Sequence, residues 1–172
     1  MKRLLLAVLC LCASGFGQAI PEGIGEGYDG ELKHASSQLI ALAEAMPADK
    51  FGWRPAVGVR SVSEVYMHIA VANFFFLASV GKQKMPPEFD ENTEKNVTAK
   101  ADVISWLKRS LDASMAAHKS ETTASLQRKV TFLKRNTTAD AVYLRLIAHC
   151  NEHMGQSVAY ARMNGVVPPW SQ

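Results

Sequence analysis

Apolar residues recur along this chain at spacings of three and four, the pattern of amphipathic helices. In residues 31–46 they fall at Leu32, Ala35, Leu39, Leu42 and Met46, and Pro47 ends the predicted helix. The Ser-Val-Ser-Glu motif at 61–64 has the form of a capping box, in which Ser61 and Glu64 each bond the other's backbone amide. It predicts a second helix that continues to about Gly81.

The second half of the chain predicts two more helices. One fits residues 99–118, with Val103, Leu107 and Leu111 inward. Thr137, with Asp140 three residues later, predicts the start of another, which runs to Asn164 and stops at Gly165. The charged segment 82–98 is predicted to be an exposed connection. Residues 119–136 are polar, with an alternation at 130–133 that indicates a short extended piece without a convincing strand pair. We therefore predict an all-α fold, a four-helix bundle.

The N-terminus has the features of a secretory signal peptide. Lys2 and Arg3 precede an apolar run over 4–12, and small residues follow up to Ala19. The run is too short to span a bilayer, which takes about 20 residues. We predict a signal peptide at 1–19, cleaved after Ala19, and a bundle domain at 20–172. The mature protein is then secreted or periplasmic, with no stable membrane anchor.

Charge and cysteine content argue against nucleic-acid binding and against a disulfide-stabilised fold. Loss of the predicted signal leaves 17 Lys+Arg against 16 Asp+Glu, so the mature chain is nearly neutral. It lacks the basic stripe interleaved with aromatics that nucleic-acid binding requires. Cys150 is then the only cysteine left, which excludes an intramolecular disulfide.

Two histidines one turn apart, His149 and His153, lie in the last predicted helix. They share an inward seam with Val142, Leu146, Gln156 and Tyr160. Buried imidazoles need partners, and a divalent metal can accept a nitrogen from both at about 2.0–2.1 Å. His68 on the second helix can join them in the bundle core, which gives three imidazoles and an open position, as in catalytic zinc sites.

Other residues have alternative interpretations. Glu64 could orient His68 or act as a base beside the metal, but its capping role explains it equally well. The stretch His149 to His153 also matches the H-x-x-E-H peptidase pattern through Glu152, although no acidic residue follows to complete that site. Cys150 is expected to be a packed core residue. His118 is expected near a helix end outside the site, and His34 on the surface.

These motifs together resemble the DinB-like (DinB/YfiT) superfamily of metal-dependent enzymes. The resemblance rests on His68 after the 61–64 motif, His149 and His153 before Gly155-Gln156, the segment 160–169, and the Phe-Gly-Trp-Arg-Pro loop at 51–55. It implies a four-helix bundle, often dimeric, with a divalent metal held by His68, His149 and His153. Characterised members include thiol-dependent transferases and a maleylpyruvate isomerase.

We therefore predict an exported metal-dependent hydrolase or group transferase that acts on a small molecule. A homodimer is a further expectation, which the resemblance implies. The alternative is a non-catalytic metal-binding or metal-stabilised envelope protein, in which a fourth protein ligand closes the site. Zinc or nickel is the expected metal, with manganese and iron as alternatives, since three histidines alone do not distinguish the four. Export argues against a thiol cosubstrate, because such thiols belong mainly to the reducing cytosol.

Overall fold

The structure, a computed structural model, describes residues 25–171, so the predicted signal peptide lies outside the described residues. Four long helices form the body of the molecule: α1 (Gly27–Ala45), α2 (Val62–Ser79), α4 (Lys100–Lys119) and α6 (Ala139–Met163). Two short helices, α3 (Thr93–Asn96) and α5 (Thr123–Leu126), and two strands, β1 (Lys129–Phe132) and β2 (Arg135–Thr138), lie in the connections. The described chain is thus mostly helical, as predicted.

The four long helices pack in the order α1, α4, α2, α6 around the bundle, so α1 and α2 lie diagonally opposite. Contacts between helix ends give the directions. Lys100, at the start of α4, donates to the carbonyls of Glu44 and Met46 at the end of α1. The end of α2 meets the end of α4, where Lys82 Nζ lies 2.9 Å from Ser120 Oγ. Helices α1 and α4 are therefore antiparallel, whereas the neighbours α2 and α4 are parallel.

Parallel neighbours require a long return connection, because the chain must travel back along the bundle before the next helix can begin. Residues 80–99 make this crossover, and α3 within it packs against α2. The crossover was predicted to be exposed, and this is wrong for part of it. Pro86 and Thr93 are buried, and the half-buried Phe89 packs against the rings of Phe74 and Trp106. Glu94 is thereby brought beside α2.

The core contains the apolar seams predicted for the helices. Leu32, Leu39, Leu42, Val65, Ile69, Leu107 and Leu146 are all fully buried. By length and composition alone α2 could cross a membrane, but 61% of it is buried inside the bundle, as in the core helix of a soluble protein. The apolar content of α2 is therefore accounted for by its packing.

The strand pair is a feature that the sequence analysis missed. Strands β1 and β2 form an antiparallel hairpin with Val130 opposite Thr137. Its two turn residues, Leu133 and Lys134, have φ of 47° and 62°, the left-handed conformation of a tight hairpin turn that normally favours asparagine and glycine. The prediction failed because Leu-Lys carries no such signal.

Two helix starts also differ from the prediction. Thr138, rather than Thr137, caps α6 and accepts from the Ala141 amide, because the helix begins at Ala139 and the N-cap is the residue directly before it. Helix α1 begins four residues earlier than predicted, at Gly27, and its first turn carries Tyr28, whose ring stacks on His118.

The buried carboxylate of Glu121 binds side chains from several parts of the chain, and its own side chain is 1% exposed. It pairs with Arg128 at 2.8 Å and with Lys82 at 3.3 Å. It also accepts hydrogen bonds from the Tyr143 hydroxyl at 3.2 Å and from Ser125. Burial acts to raise the pKa of Glu121, but the hydrogen bonds from Ser125, Arg128 and Lys82 outweigh it and lower this pKa to about 2.

We expect Glu121→Gln to lower the free energy of unfolding at pH 7 by about 1–3 kcal/mol, because charge-assisted bonds to a buried carboxylate are lost. The native pKa lies below the unfolded value, so the wild type holds this stabilisation above about pH 4.5 and loses it as the pH falls towards 2. The variant should lose less stability over that range. Urea unfolding between pH 2 and 7 measures both effects.

Glu44→Gln is the matched control, since Glu44 pairs with Lys108 on the surface with 52% of its side chain exposed. It should cost less than about 1 kcal/mol. Unfolding curves for Glu121→Gln that run parallel to the wild type at every pH would contradict the role assigned to this carboxylate.

Candidate metal centre

The start of α2 is held by two sets of hydrogen bonds that fix the register of His68. The capping box is present as predicted: Glu64 N donates to Ser61 Oγ at 3.3 Å, and Ser61 N donates to Glu64 Oε2 at 2.7 Å. The loop that precedes the helix supplies the rest, because Val62 N and Ser63 N donate to the carbonyls of Trp53 and Phe51. The first amides of α2 are thus satisfied, and His68 follows one turn later.

The seam predicted on α6 faces the bundle. Val142, Leu146, His149 and Tyr160 are buried, and His153 and Gln156 are half-buried. Helix α6 runs antiparallel to α2, as shown by the Tyr160 hydroxyl, which donates to the Arg60 carbonyl before α2 at 3.1 Å. This packing places the two histidines of α6 opposite His68.

The three histidines converge. Nε2 of His149 lies 3.1 Å from Nε2 of His68, and one nitrogen from each of the three rings lies within 4.8 Å of the others. The ring centroids are 4.5–4.9 Å apart. Among the described His, Cys, Asp and Glu side chains, these three histidines form the group whose spacing fits a metal ion.

The outer nitrogen of His68 is bound by a carboxylate that the sequence analysis did not identify. His68 Nδ1 lies 2.7 Å from Glu94 Oε1, and the other oxygen of Glu94 accepts from Arg60 Nε at 3.0 Å. Burial acts to raise the pKa of Glu94, but the contacts with His68 and Arg60 outweigh it and lower that pKa. An ionised Glu94 can only accept, so Nδ1 of His68 is the donor in this contact, and in the neutral ring the lone pair is then on Nε2.

Glu64, the residue predicted to orient His68 or act as a base, has other partners. One of its oxygens accepts from the Ser61 amide, and the other accepts from Arg54 at 3.1 Å. The carboxylate in contact with His68 is Glu94. No residue pattern in the sequence pointed to Glu94, because it lies on the crossover and reaches the site only through the bundle's topology.

His153 is oriented by its own helix. Its Nδ1 lies 2.8 Å from Gln156 Oε1, while Gln156 Nε2 donates to the Tyr160 hydroxyl at 2.9 Å. Because Tyr160 donates in turn to the Arg60 carbonyl, hydrogen bonds run from His153 to the same residue that binds Glu94. His68 and His153 are therefore fixed from outside by one connected network.

His149 is the most buried of the three, with 8% of its surface exposed. The ring of Phe76 packs against it edge-on at 5.5 Å, and its Nδ1 has no hydrogen-bond partner. Burial, and then the neighbouring His153 and His68, lower the pKa of His149 to about 4. Burial also lowers the pKa of His153. Both rings are neutral at physiological pH, the form in which imidazole binds a metal.

These features fit a divalent cation. Glu94 and Gln156 accept from Nδ1 of His68 and from Nδ1 of His153, so in the neutral rings the remaining nitrogens carry lone pairs. Nε2 of His149 and Nε2 of His68 face each other at 3.1 Å, and His149 Nδ1 has no hydrogen-bond partner. When the neutral His149 ring carries its proton on Nδ1, the lone pairs of the two Nε2 atoms are opposed, an arrangement that favours a cation between them. A cation shared by the three rings would bind the converging lone pairs, for which the cluster itself supplies no other partner.

Several other candidates lie outside the cluster. Glu152, the glutamate of the peptidase pattern, is 53% exposed and pairs with Arg145 at 2.6 Å. Cys150 is buried against Asn73, as expected of a core residue. His118 lies 2.7 Å from Asp29 at the end of α4, and His34 is half-buried rather than exposed.

Comparisons with known proteins give one family. The sequence model of the DinB superfamily matches residues 31–157. No curated protein sequence matches the chain. A solved DinB-like protein from Bacillus cereus is 22% identical, with a TM-score of 0.71 over 84% of this chain and 95% of its own. A DinB-like protein from Bacillus subtilis is 18% identical, with a TM-score of 0.67 over 84% and 98%.

A third solved structure is that of YfiT from Bacillus subtilis, described as a probable metal-dependent hydrolase with an unusual four-helix bundle topology. It is 16% identical, with a TM-score of 0.61 over 87% of this chain and 92% of its own. At these identities the three structures show a shared fold.

Proposed function

Since this chain belongs to the DinB superfamily, we propose that His68, His149 and His153 hold one divalent metal and that the protein is a metal-dependent hydrolase or group transferase. The observation that supports this most strongly is the convergence of three ring nitrogens within 4.8 Å, two of them on rings whose outer nitrogens are already bound. A divalent ion there would act as a Lewis acid and lower the pKa of a water molecule towards about 7.

An open coordination position distinguishes the enzyme from the metal-stabilised alternative. Among the described residues the cluster contains no fourth histidine, cysteine or carboxylate ligand. Glu94 is close, but its two oxygens are used by His68 and Arg60. His68 and His153 are half-buried rather than sealed, so a small molecule can approach. These features favour catalysis, and so does the description of YfiT as a probable hydrolase.

Cobalt substitution tests the open position. Cobalt(II) reports its coordination number through visible absorption, and an exchangeable position allows an added ligand such as azide to change that spectrum. We expect azide to alter the spectrum of the cobalt-loaded protein. A four-coordinate spectrum that azide does not change would indicate a fourth protein ligand and the structural role.

Glu94 should tune the affinity of the site. We expect Glu94→Gln to weaken metal binding about 10-fold or more, because a neutral amide polarises the His68 ring less than a carboxylate, and loss of such outer partners typically costs 10–100-fold. Competition with a chromophoric chelator measures this. Glu91→Gln is the control, since Glu91 is an exposed glutamate of the same crossover. Equal affinity in the two variants would show that Glu94 does not support the metal.

Zinc or nickel remains our proposal for the metal, because neutral imidazoles suit both and carboxylate ligands are absent from the described cluster. Manganese prefers oxygen ligands, whereas iron also accepts imidazole and stays an alternative. Elemental analysis of protein purified without added metal identifies the ion that the site retains.

We further propose that the protein acts outside the cytoplasm, on the basis of the charged, apolar and small-residue pattern at residues 1–19. Protein recovered from fractionated native cells should begin near Ile20. A thiol-dependent transfer is then disfavoured, and a hydrolase favoured. Recovery of cytosolic protein that still begins at Met1 would reverse that order.

A further inference from the structure

An open cleft of about 680 Å³ borders the metal centre at the start of α2. Its lining includes three cations, Arg54, Arg60 and Lys95. It also includes two carboxylates and an amide, Glu64, Glu94 and Gln156. Two of these residues touch the histidines directly, since Glu94 binds His68 and Gln156 binds His153. The volume is in the range of small-molecule sites, so a ligand in the cleft lies next to two of the three histidines.

The carboxylates of the cleft have no free oxygen. Glu64 accepts from the Ser61 amide with one oxygen and from Arg54 with the other. Glu94 accepts from Arg60 and contacts His68. The Oε1 atom of Gln156 is likewise used by His153. The side-chain oxygens of these three residues are therefore already used by other protein groups.

The cations, by contrast, have hydrogen-bond donors to spare. Arg60 uses Nε on Glu94, and within residues 25–171 no acceptor binds its two terminal nitrogens; its side chain is 42% exposed. The Lys95 ammonium has no hydrogen-bond or salt-bridge partner among the described residues, and it lies on the surface. Arg54 is held in place by the Val59 carbonyl and Glu64. Three cations and two carboxylates leave the cleft with one excess positive charge.

We propose that this cleft binds an anionic group, a carboxylate or a phosphate, of the small molecule on which the metal centre acts, with Arg60 as the main contact and Lys95 as the second. A guanidinium with both terminal nitrogens free is suited to a bidentate oxyanion. His149, the third histidine, does not line this cleft and packs against Phe76 instead. The anionic group is therefore placed beside His68 and His153. The assignment of this ligand as substrate rests on the proposed function.

The cleft is built from protein groups, so anion binding can be measured without metal. We expect isothermal titration of chelator-treated protein, at constant ionic strength, to show saturable binding of inorganic phosphate or of acetate, and the tighter of the two identifies the anion class. Lys95→Gln should weaken the binding about 3–10-fold. Lys84→Gln removes the same charge from an exposed lysine beyond the other end of α2 and should leave it unchanged.

Arg60→Lys tests the main contact, since it keeps the charge but loses the planar fork. We expect about 10-fold weaker anion binding, with circular dichroism as the check on folding. The proposal is overturned by a wild type that binds neither anion at 50 mM, or by Lys95→Gln and Arg60→Lys variants that both bind as the wild type does. Metal content, measured separately, tests the proposed function: a chain that binds phosphate but no metal refutes the metal centre and leaves the anion site standing.

Discussion

Replacing His153 by alanine should reduce bound metal from about one equivalent to a trace while the bundle stays folded. One of three ligands is lost, and the expected fall in affinity exceeds the 10–100-fold typical of outer partners. His153 is half-buried at the edge of the core, whereas stability comes from the apolar seams around Leu39, Leu107 and Leu146. Elemental analysis and circular dichroism of the same sample measure both quantities.

His34→Ala is the matched control, because His34 is also half-buried on a long helix but lies outside the cluster. It should keep its full metal content. Full retention of metal by His153→Ala would exclude His153 as a ligand, and loss of its helicity would shift the interpretation to a metal that holds the fold together.

Removing the metal should lower the melting temperature by a large amount without unfolding the protein. An ion that binds only the native state adds about 4 kcal/mol when present at 1,000 times its dissociation constant. For a chain of this length that corresponds to roughly 8–16 °C. The far-UV circular dichroism at 25 °C should not change, since the fully buried apolar core, which includes Leu32 and Ile69, supplies most of the stability of a helix bundle. Thermal scans with and without chelator measure the shift.

The same scans on His153→Ala provide the control, because that variant should melt at the same temperature with and without chelator. Collapse of wild-type helicity on chelation would support the metal-stabilised alternative. Equal melting temperatures for treated and untreated wild type would show that no metal binds with useful affinity.

Features that depend on local sequence were predictable from the chain. The capping box of Ser61 and Glu64 is present, because its two hydrogen bonds join residues three apart. The seam that carries His149 and His153 lies inward, because its spacing follows the turn of the helix. These features need no knowledge of the fold.

Features that depend on topology were not predictable. Glu94 reaches His68 across 26 residues, because the parallel packing of α2 and α4 requires the crossover to return along α2. The sequence showed that segment only as charged and proline-containing. The hairpin turn at Leu133 and Lys134 was missed for a different reason, since pairing of the strands imposes a positive φ on residues that do not favour it.

X-ray absorption of the metal-loaded protein tests the three-histidine centre itself, because it counts the ligands of the bound ion. We expect three imidazole nitrogens at about 2.0–2.1 Å, together with at least one ligand that is not imidazole and that azide can replace. His68→Ala should bind the ion weakly and, when loaded with excess metal, should show two imidazoles. A spectrum of the wild type with one imidazole or none, or with a sulfur ligand, would contradict the three-histidine centre.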